Sequence, residues 1–287
     1  MRRALLASMK AVLIVTIMAT PGWSGNRPSA SGAAQPRSVD AAAVFVASDY
    51  GFRGPDRIPA GLTTVRIVNE GHDLHHVQVL KLLQGKSAAD FHAAVAADPS
   101  RLPSWVRYVG GPNAVVPGHE AVATMHLTEG EHVMICLIPD NKGVLHVALG
   151  MEKAVTVQGG KPSKVSEPKA TLAITQSDFH FSVAQPIQAG AHTVAVTNQG
   201  TQPHEVVLVR LEPGSSVTDF LASVEPGAAG PPKGMPLGGI VGIEPGDRGF
   251  FTADLEPGRY GLVCFFPNPS TGKPHFLHGM TTEFTVK

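Results

Sequence analysis

The sequence predicts an all-β protein built as two tandem Greek-key β-sandwiches, each carrying one short helix. Three observations predict it. The chain of 287 residues repeats itself in register, its apolar segments are short and bounded by turn residues, and one stretch of helical spacing recurs in each copy. The length suits about two domains of ~100–200 residues, and 43% hydrophobic residues give enough apolar surface for packed cores.

The repeat comes first because it sets the rest. "SDYGFRGPDRIPAG" from Ser48 matches "SDFHFSVAQPIQAG" from Ser177, 129 residues on. "NEGHDLHHVQVLKL" from Asn69 matches "NQGTQPHEVVLVRL" from Asn198, and "SAADFHAAV" from Ser87 matches "SVTDFLASV" from Ser216, at the same offset. Cys136 and Cys264 are 128 apart. Register held this long predicts two copies of one domain, placed at 39–157 and 170–287. The Gly, Pro, Ser and Lys of "QGGKPSKVSEPK", 158–169, predict a linker.

Residues 1–38 lie ahead of the first copy. Arg2 and Arg3 precede "AVLIVTIMAT" and a Pro21–Gly22 break, the layout of a secretory signal, with cleavage expected between Ser24 and Ala33. Lys10 interrupts the apolar run, which weighs against a membrane span of about 20 residues. The expected location is periplasmic or secreted, with membrane attachment only where this segment stays uncleaved.

Within the first copy, "TTVRIVN", "EAVATMHL", "HVMICLI" and "MEKAVTV" predict strands, separated by turns at Ala60–Gly61, Pro117–Gly118 and Glu129–Gly130. Ser87 with Asp90, and Ser216 with Asp219, each precede apolar residues at helical spacing and predict capped helices. The Pro/Gly-rich "EPGAAGPPKGMPLGG", 225–239, reads as a long connection.

Charge excludes one class of function. Lys plus Arg and Asp plus Glu both number 23, and no basic run stands out in the body of the chain, so nucleic acid is not an expected partner.

The chemistry-bearing residues recur with the repeat. The first copy has Cys136, nine residues, His146, four residues and Met151; the second has Cys264, ten residues, His275, four residues and Met280. "GM" closes both, whereas His278 has Leu149 at its place and is demoted. Upstream, His75 and His204 align; each shares a strand face with apolar residues (Val77 and Val79; Val206 and Leu208), while His76 lies on the face of Gln78. Each copy thus holds His, Cys, His and Met in that order. Two imidazoles, a thiolate and a weak thioether suit copper in electron transfer, because soft sulfur favours Cu(I) and imidazole accepts Cu(II).

In this order and spacing both copies resemble cupredoxins, the blue-copper β-sandwich family, over nearly the whole chain beyond the leader. The resemblance implies type-1 copper ligands His75, Cys136, His146 and Met151 in the first copy, and His204, Cys264, His275 and Met280 in the second. It also implies electron transfer with a redox partner protein that the sequence does not identify; nor does the sequence set the oligomeric state. The long Cys–His gap departs from plastocyanin and azurin and is similar to that of the type-1 site in copper nitrite reductases. Storage or delivery of copper, and a metal-free structural or binding module, are the alternatives. A disulfide between Cys136 and Cys264 would have to join equivalent strands of two separate cores. Two-domain members of the family include enzymes with further copper held by His-x-His pairs. None of the 13 histidines forms such a pair, and Cys136 and Cys264 have no histidine beside them, so the expectation is no enzyme. Asp49 and Asp178 are expected to hold a turn or a strand end, and His119, His126 and His132 to lie on the surface.

Overall fold

A computed structural model describes residues 42–287 apart from 100, 160–165 and 226; the leader, and half of the proposed linker, lie outside the described residues. The first half runs β1 (Ala43–Ser48), β2 (Gly51–Arg53), β3 (Arg57–Pro59), β4 (Gly61–Asn69), β5 (Gln78–Leu82), α1 (Ala88–Ala97), β6 (Val106–Tyr108), β7 (Glu120–Leu127), β8 (Gly130–Ile135) and β9 (Glu152–Gln158). The second runs β10 (Leu172–Ser177), β11 (His180–Val183), β12 (Gly190–Asn198), β13 (His204–Leu211), α2 (Val217–Ser223), β14 (Gly234–Ile243), β15 (Arg248–Leu255), β16 (Gly258–Val263) and β17 (Thr281–Val286).

Alternation of burial explains the strands. In β4 every second residue from Thr63 to Asn69 is buried, so Val65 and Ile67 face the core while Thr64 and Arg66 face outward. The helices start where the caps predict. Ser87 Oγ accepts the Asp90 N–H at 3.2 Å, and Asp90 Oδ2 accepts the Ser87 N–H at 2.9 Å; Ser216 and Asp219 do the same for α2.

Three sheets result. One has eight strands in the order β11-β10-β12-β15-β7-β4-β1-β2, so each half contributes four strands, joined by antiparallel pairing of β7 with β15. A five-stranded sheet, β3-β9-β8-β5-β6, covers the first half of it, and a four-stranded sheet, β14-β13-β16-β17, covers the second. The result is two β-sandwiches sharing one continuous layer, with α1 packing on the outer face of β8 through Phe91 and Val95.

Two expectations change. His132 is fully buried, not on the surface. It lies on the same face of β8 as Met134 and Cys136, which looks into the sandwich, and its Nδ1 bonds the Gly130 carbonyl at 3.0 Å. His119 and His126 are exposed. The segment 225–239 is only partly a connection, because from Gly234 it enters β14, which pairs with β13. Gly239 permits this: its φ is 128°, and a Cβ there would stand 2.0 Å from the Val206 carbonyl oxygen.

Beyond β7 and β15, the halves meet where the segment after β6 crosses β14. Gly110 N–H donates to Gly242 O and Val241 N–H to Gly111 O, both at 3.0 Å. The Gln78 amide reaches Gly242 O at 3.1 Å, and Arg107 bonds both carboxylate oxygens of Asp247 at 2.9 Å.

Candidate metal centres

Each centre is assembled from a strand start and a loop. His75 is fixed just ahead of β5 by exchanging backbone hydrogen bonds with Val115, and His204 opens β13. Cys136 follows β8 directly, and Met151 immediately precedes β9. The intervening loop closes on itself. Cys136 N–H donates to Met151 O, Val147 N–H to Cys136 O, His146 N–H to Ile138 O and Met151 N–H to His146 O, at 2.8–3.2 Å. His146 starts a short 3₁₀ turn ended by Gly150 at φ 94°, and His275 starts another ended by Gly279 at φ 95°. This left-handed turn is the physical content of the repeated "GM".

The donors converge. In the first centre Nδ1 of His75 and Nδ1 of His146 are 3.2 Å apart, and Cys136 Sγ lies 4.0 and 3.4 Å from them. In the second, Nδ1 of His204 and Nδ1 of His275 are 2.9 Å apart, with Cys264 Sγ 3.4 Å from the latter. All six side chains are fully buried, and the donor atoms of each trio lie within 4.8 Å of one another. Bonds of about 2.0 Å to nitrogen and 2.3 Å to sulfur, spread in a plane, would separate donors by roughly 3.5 Å, close to these values. Met151 and Met280 are fully buried and bonded through their backbones to the histidine and cysteine of their own centre. His278 is exposed and bonded to Thr271, outside the group. Both cysteines are free and buried, so no disulfide joins the halves.

Outward hydrogen bonds set the tautomers. His204 Nε2 faces Asp178 Oδ1 at 3.0 Å, and His275 Nε2 faces Gln202 Oε1 at 3.0 Å. An acceptor opposite each Nε2 puts the ring proton there. Both Nδ1 atoms then carry lone pairs that point at each other across 2.9 Å. Such an arrangement is repulsive unless a cation lies between them. The first centre matches at His75, whose Nε2 faces Asp49 Oδ1 at 3.0 Å. His146 Nε2, by contrast, is buried without a hydrogen-bond partner, with Asp73 Oδ2 3.8 Å away. Tyr50 and Phe179 lay their rings against His146 and His275 at 4.8 and 5.2 Å.

The electrostatics agree with a neutral-imidazole, thiol-bearing pocket. Burial, and then the facing histidine, holds His146 and His275 down at about 4. Burial also lowers His75 and His204, against the pull of Asp49 and Asp178. It pushes the Cys136 thiol up to about 12 and raises that of Cys264 well above its ordinary value. Burial opposes ionisation of Asp49 and Asp178 as well, but the hydrogen bonds they accept from His72, His75, Thr201 and His204 win and hold both at about 2. The two aspartates therefore do more than hold turns. They are charged acceptors that orient His75 and His204.

Sequence reasoning set His76 aside and passed over Glu205 and Asn113. His76 Nε2 accepts the Leu137 N–H at 2.8 Å, and Glu205 Oε1 accepts the Phe265 N–H at 3.0 Å. Burial lowers His76 to about 3 and raises Glu205 to about 7. The available signal for His76 and Glu205 was that each follows an aligned histidine at the start of an apolar strand; Asn113 carried none.

Fold and donor sets together define a cupredoxin-like protein of two sandwiches, each with a His–Cys–His group whose chemistry fits copper. No family model and no curated protein matches the chain. Among solved structures, it is similar to reduced auracyanin from Roseiflexus castenholzii, at 18% identity over 40% of this chain and 94% of that one, TM-score 0.30. It is also similar to a blue copper oxidase from Nitrosomonas europaea, at 15% identity over 85% and 84%, TM-score 0.25. A copper-containing nitrite reductase from Thermus scotoductus matches at 13% identity over 85% and 61%, TM-score 0.24. The expectation of no enzyme is corrected here. The oxidase and the reductase each align over 85% of this chain, so the missing His-x-His pairs do not exclude an enzymatic relative of this architecture. Among the described residues no helix is long and apolar enough to cross a membrane.

Proposed function

We propose that each half binds one copper ion of the type-1 kind and that the protein carries single electrons to and from a partner protein outside the cytoplasm. The observation that carries this reading is the pair of Nδ1 lone pairs held 2.9 Å apart beside a buried cysteine sulfur. In this reading His75, Cys136 and His146, and His204, Cys264 and His275, would hold the metal, with Met151 and Met280 as weak thioether donors. Bound copper would supply a one-electron couple, tuned by the thioether. The chain supplies the rest. Asp49 and Asp178 fix imidazole orientation, the Glu205 N–H reaches Cys264 Sγ at 3.5 Å, and complete burial of the trios keeps water away. That burial favours a retained metal over one stored or handed on. The reading includes domains at 39–157 and 170–287, a linker at 158–169, and export directed by residues 1–38.

Metal content and visible absorption of the purified protein test it. Two coppers per chain and an intense thiolate-to-Cu(II) band are expected. A protein that stays colourless after Cu(II) addition refutes it. Recovery of the chain outside the cytoplasm, shortened at its N-terminus between residues 24 and 33, tests export separately.

A further inference from the structure

The outer faces of His146 and His275 are built alike and charged differently. Asp73 and Gln202 are the fifth residues of "NEGHD" and "NQGTQ". The same bond places each backbone: the Asn69 amide donates to Asp73 O at 2.8 Å, and the Asn198 amide to Gln202 O at 2.9 Å. From there Gln202 Oε1 meets His275 Nε2 at 3.0 Å. Asp73 Oδ2 stands 3.8 Å from His146 Nε2, a buried nitrogen with no hydrogen-bond partner. The aromatic neighbours differ in the same sense. Tyr50 lies against His146 and donates its hydroxyl to Asp73 Oδ2 at 3.2 Å, whereas Phe179, against His275, has no hydroxyl to give.

A second position repeats the difference. In the turn ahead of His146, Asp140 Oδ1 accepts the Lys142 and Val144 N–H groups at 2.8 Å. In the turn ahead of His275, Asn268 Oδ1 accepts those of Ser270 and Thr271 at 2.8 and 3.1 Å. Both side chains are 8% exposed. The hydrogen bonds are kept and the charge is dropped, so the turn alone does not call for an aspartate. Asp49, Asp73 and Asp140 thus act on the first centre. Asp178 acts on the second, joined by Glu205, where the first half has His76. Counted as fully charged, Glu205 still leaves three carboxylates against two. The loops carry one exposed lysine each, Lys142 and Lys273, which cancel in the comparison.

Oxidation of a centre adds one positive charge to it. Carboxylates beside the ligating rings favour that form, and they act most strongly where water is excluded. We infer that Asp73, with Asp140 behind it, sets the first centre at a lower reduction potential than the second, so that a half-reduced chain keeps its electron on the second centre. The inference rests on the copper reading of both donor groups. Asp73 is a tuning group: it acts through His146 and holds no metal itself.

Redox titration of the visible thiolate-to-Cu(II) band in the full chain tests it. Two one-electron steps are expected, separated by about tenfold in the reduced-to-oxidised ratio, or about 59 mV. Single-centre proteins assign them. Cys264→Ser, which keeps the first centre, should titrate at the lower potential, and Cys136→Ser at the higher. Asp73→Asn nearly preserves shape and can still accept the Tyr50 hydroxyl. It should raise the first potential by about the same tenfold and leave the second in place, while Gln202→Glu should lower the second. Tyr50→Phe removes the hydrogen bond and keeps the charge, so it should not raise the first potential. Where a serine variant does not fold, the Asp73→Asn chain with both centres serves instead, and its two steps should draw together. Coincident steps in the parent, a first centre above the second, or an Asp73→Asn potential equal to its parent's overturns the inference. A rise in Tyr50→Phe equal to that in Asp73→Asn does so too, because packing would then be the cause. A folded single-centre protein with no visible band overturns instead the copper reading of that centre.

Discussion

Removal of the Asp178 carboxylate should weaken copper binding at the second centre about tenfold without unfolding the protein. Asp178 Oδ1 accepts from His204 Nε2 at 3.0 Å and from the Thr201 N–H at 2.9 Å, while Oδ2 takes the Thr201 hydroxyl at 2.6 Å. With the carboxylate present, the ring proton sits on Nε2 and Nδ1 faces the donor site. In Asp178→Ala the ring can protonate on either nitrogen and can tilt, so part of the binding energy goes into restoring the tautomer. Losing an orienting partner of a ligating histidine typically costs 10–100-fold in affinity. The low end applies because the Asp178 side chain is 31% exposed, so water can replace it in part. Tenfold is about 1.4 kcal/mol. Asp178→Asn separates orientation from charge. Its amide oxygen can still accept from His204 and Thr201, and its NH2 can donate to the Thr201 hydroxyl, so a loss within about threefold is expected. The assay is competition for Cu(I) against a chromophoric chelator at pH 7, in a Cys136→Ser background so that the second centre alone is read. Circular dichroism checks the fold. Equal affinities for Asp178→Ala and its parent, with an unchanged spectrum, would refute the assignment of Asp178 as the group that orients His204.

Three further outcomes are expected. Each buried cysteine is a protonated thiol at pH 7 and each facing histidine is already neutral, so Cu(I) binding should release about one proton per ion; calorimetry in buffers of different ionisation enthalpy measures it, and no release would be the contrary result. The metal-free protein should lose stability as pH falls from 6.5 through about 4, because the unfolded chain binds protons there that buried His76, His146 and His275 refuse. Each ring is worth up to about 3 kcal/mol. Glu205, raised to about 7, works in the opposite direction and offsets about one ring, and the stability that Asp49 and Asp178 contribute is lost only in the lower window from 3.8 to about 2. A melting temperature equal at pH 7 and pH 4.5 would contradict this balance. Met280→Leu and Met151→Leu, which roughly conserve volume, should keep the fold within about 1.5 kcal/mol and retain copper at a raised reduction potential, read by redox titration of the visible band; an unchanged potential would remove the methionines from the ligand set.

How much of this was written in the sequence depends on how far apart the cooperating residues lie. Cys136, His146 and Met151 share one loop, as do Cys264, His275 and Met280. A metal loop of this kind announces itself by residue type and spacing, and the chain presents it twice. The "SDY" and "SDF" stretches were equally visible as text, but their task was not. Parallel pairing of β1 with β4 aligns Ala47 with Asn69, which carries Asp49 beside the turn leading to His75. Pairing of β10 with β12 aligns Gln176 with Asn198 and brings Asp178 to His204 in the same way. No spacing rule along one strand shows that contact. His132 failed for another reason. Polar residues in a strand read as outward, yet β8 is covered on both faces, by the sandwich core and by α1, so it has no outward side.

The least legible part is the one that joins the halves. Reading two copies as equivalent leads to matching donor sets, and it demotes His278, which the structure shows to be exposed. The same reading sets His76 aside, because it shares a strand face with Gln78 and only His75 aligns with His204. Yet His76 and Glu205 take the same place and the same task in the two halves, each accepting the peptide N–H that follows its cysteine, at 2.8 and 3.0 Å. What differs is the contact between the halves. Asn113 of the first half donates to the other Glu205 oxygen at 3.0 Å. A carboxylate accepts there while it holds the Phe265 N–H, which a neutral imidazole, with one acceptor nitrogen, cannot do.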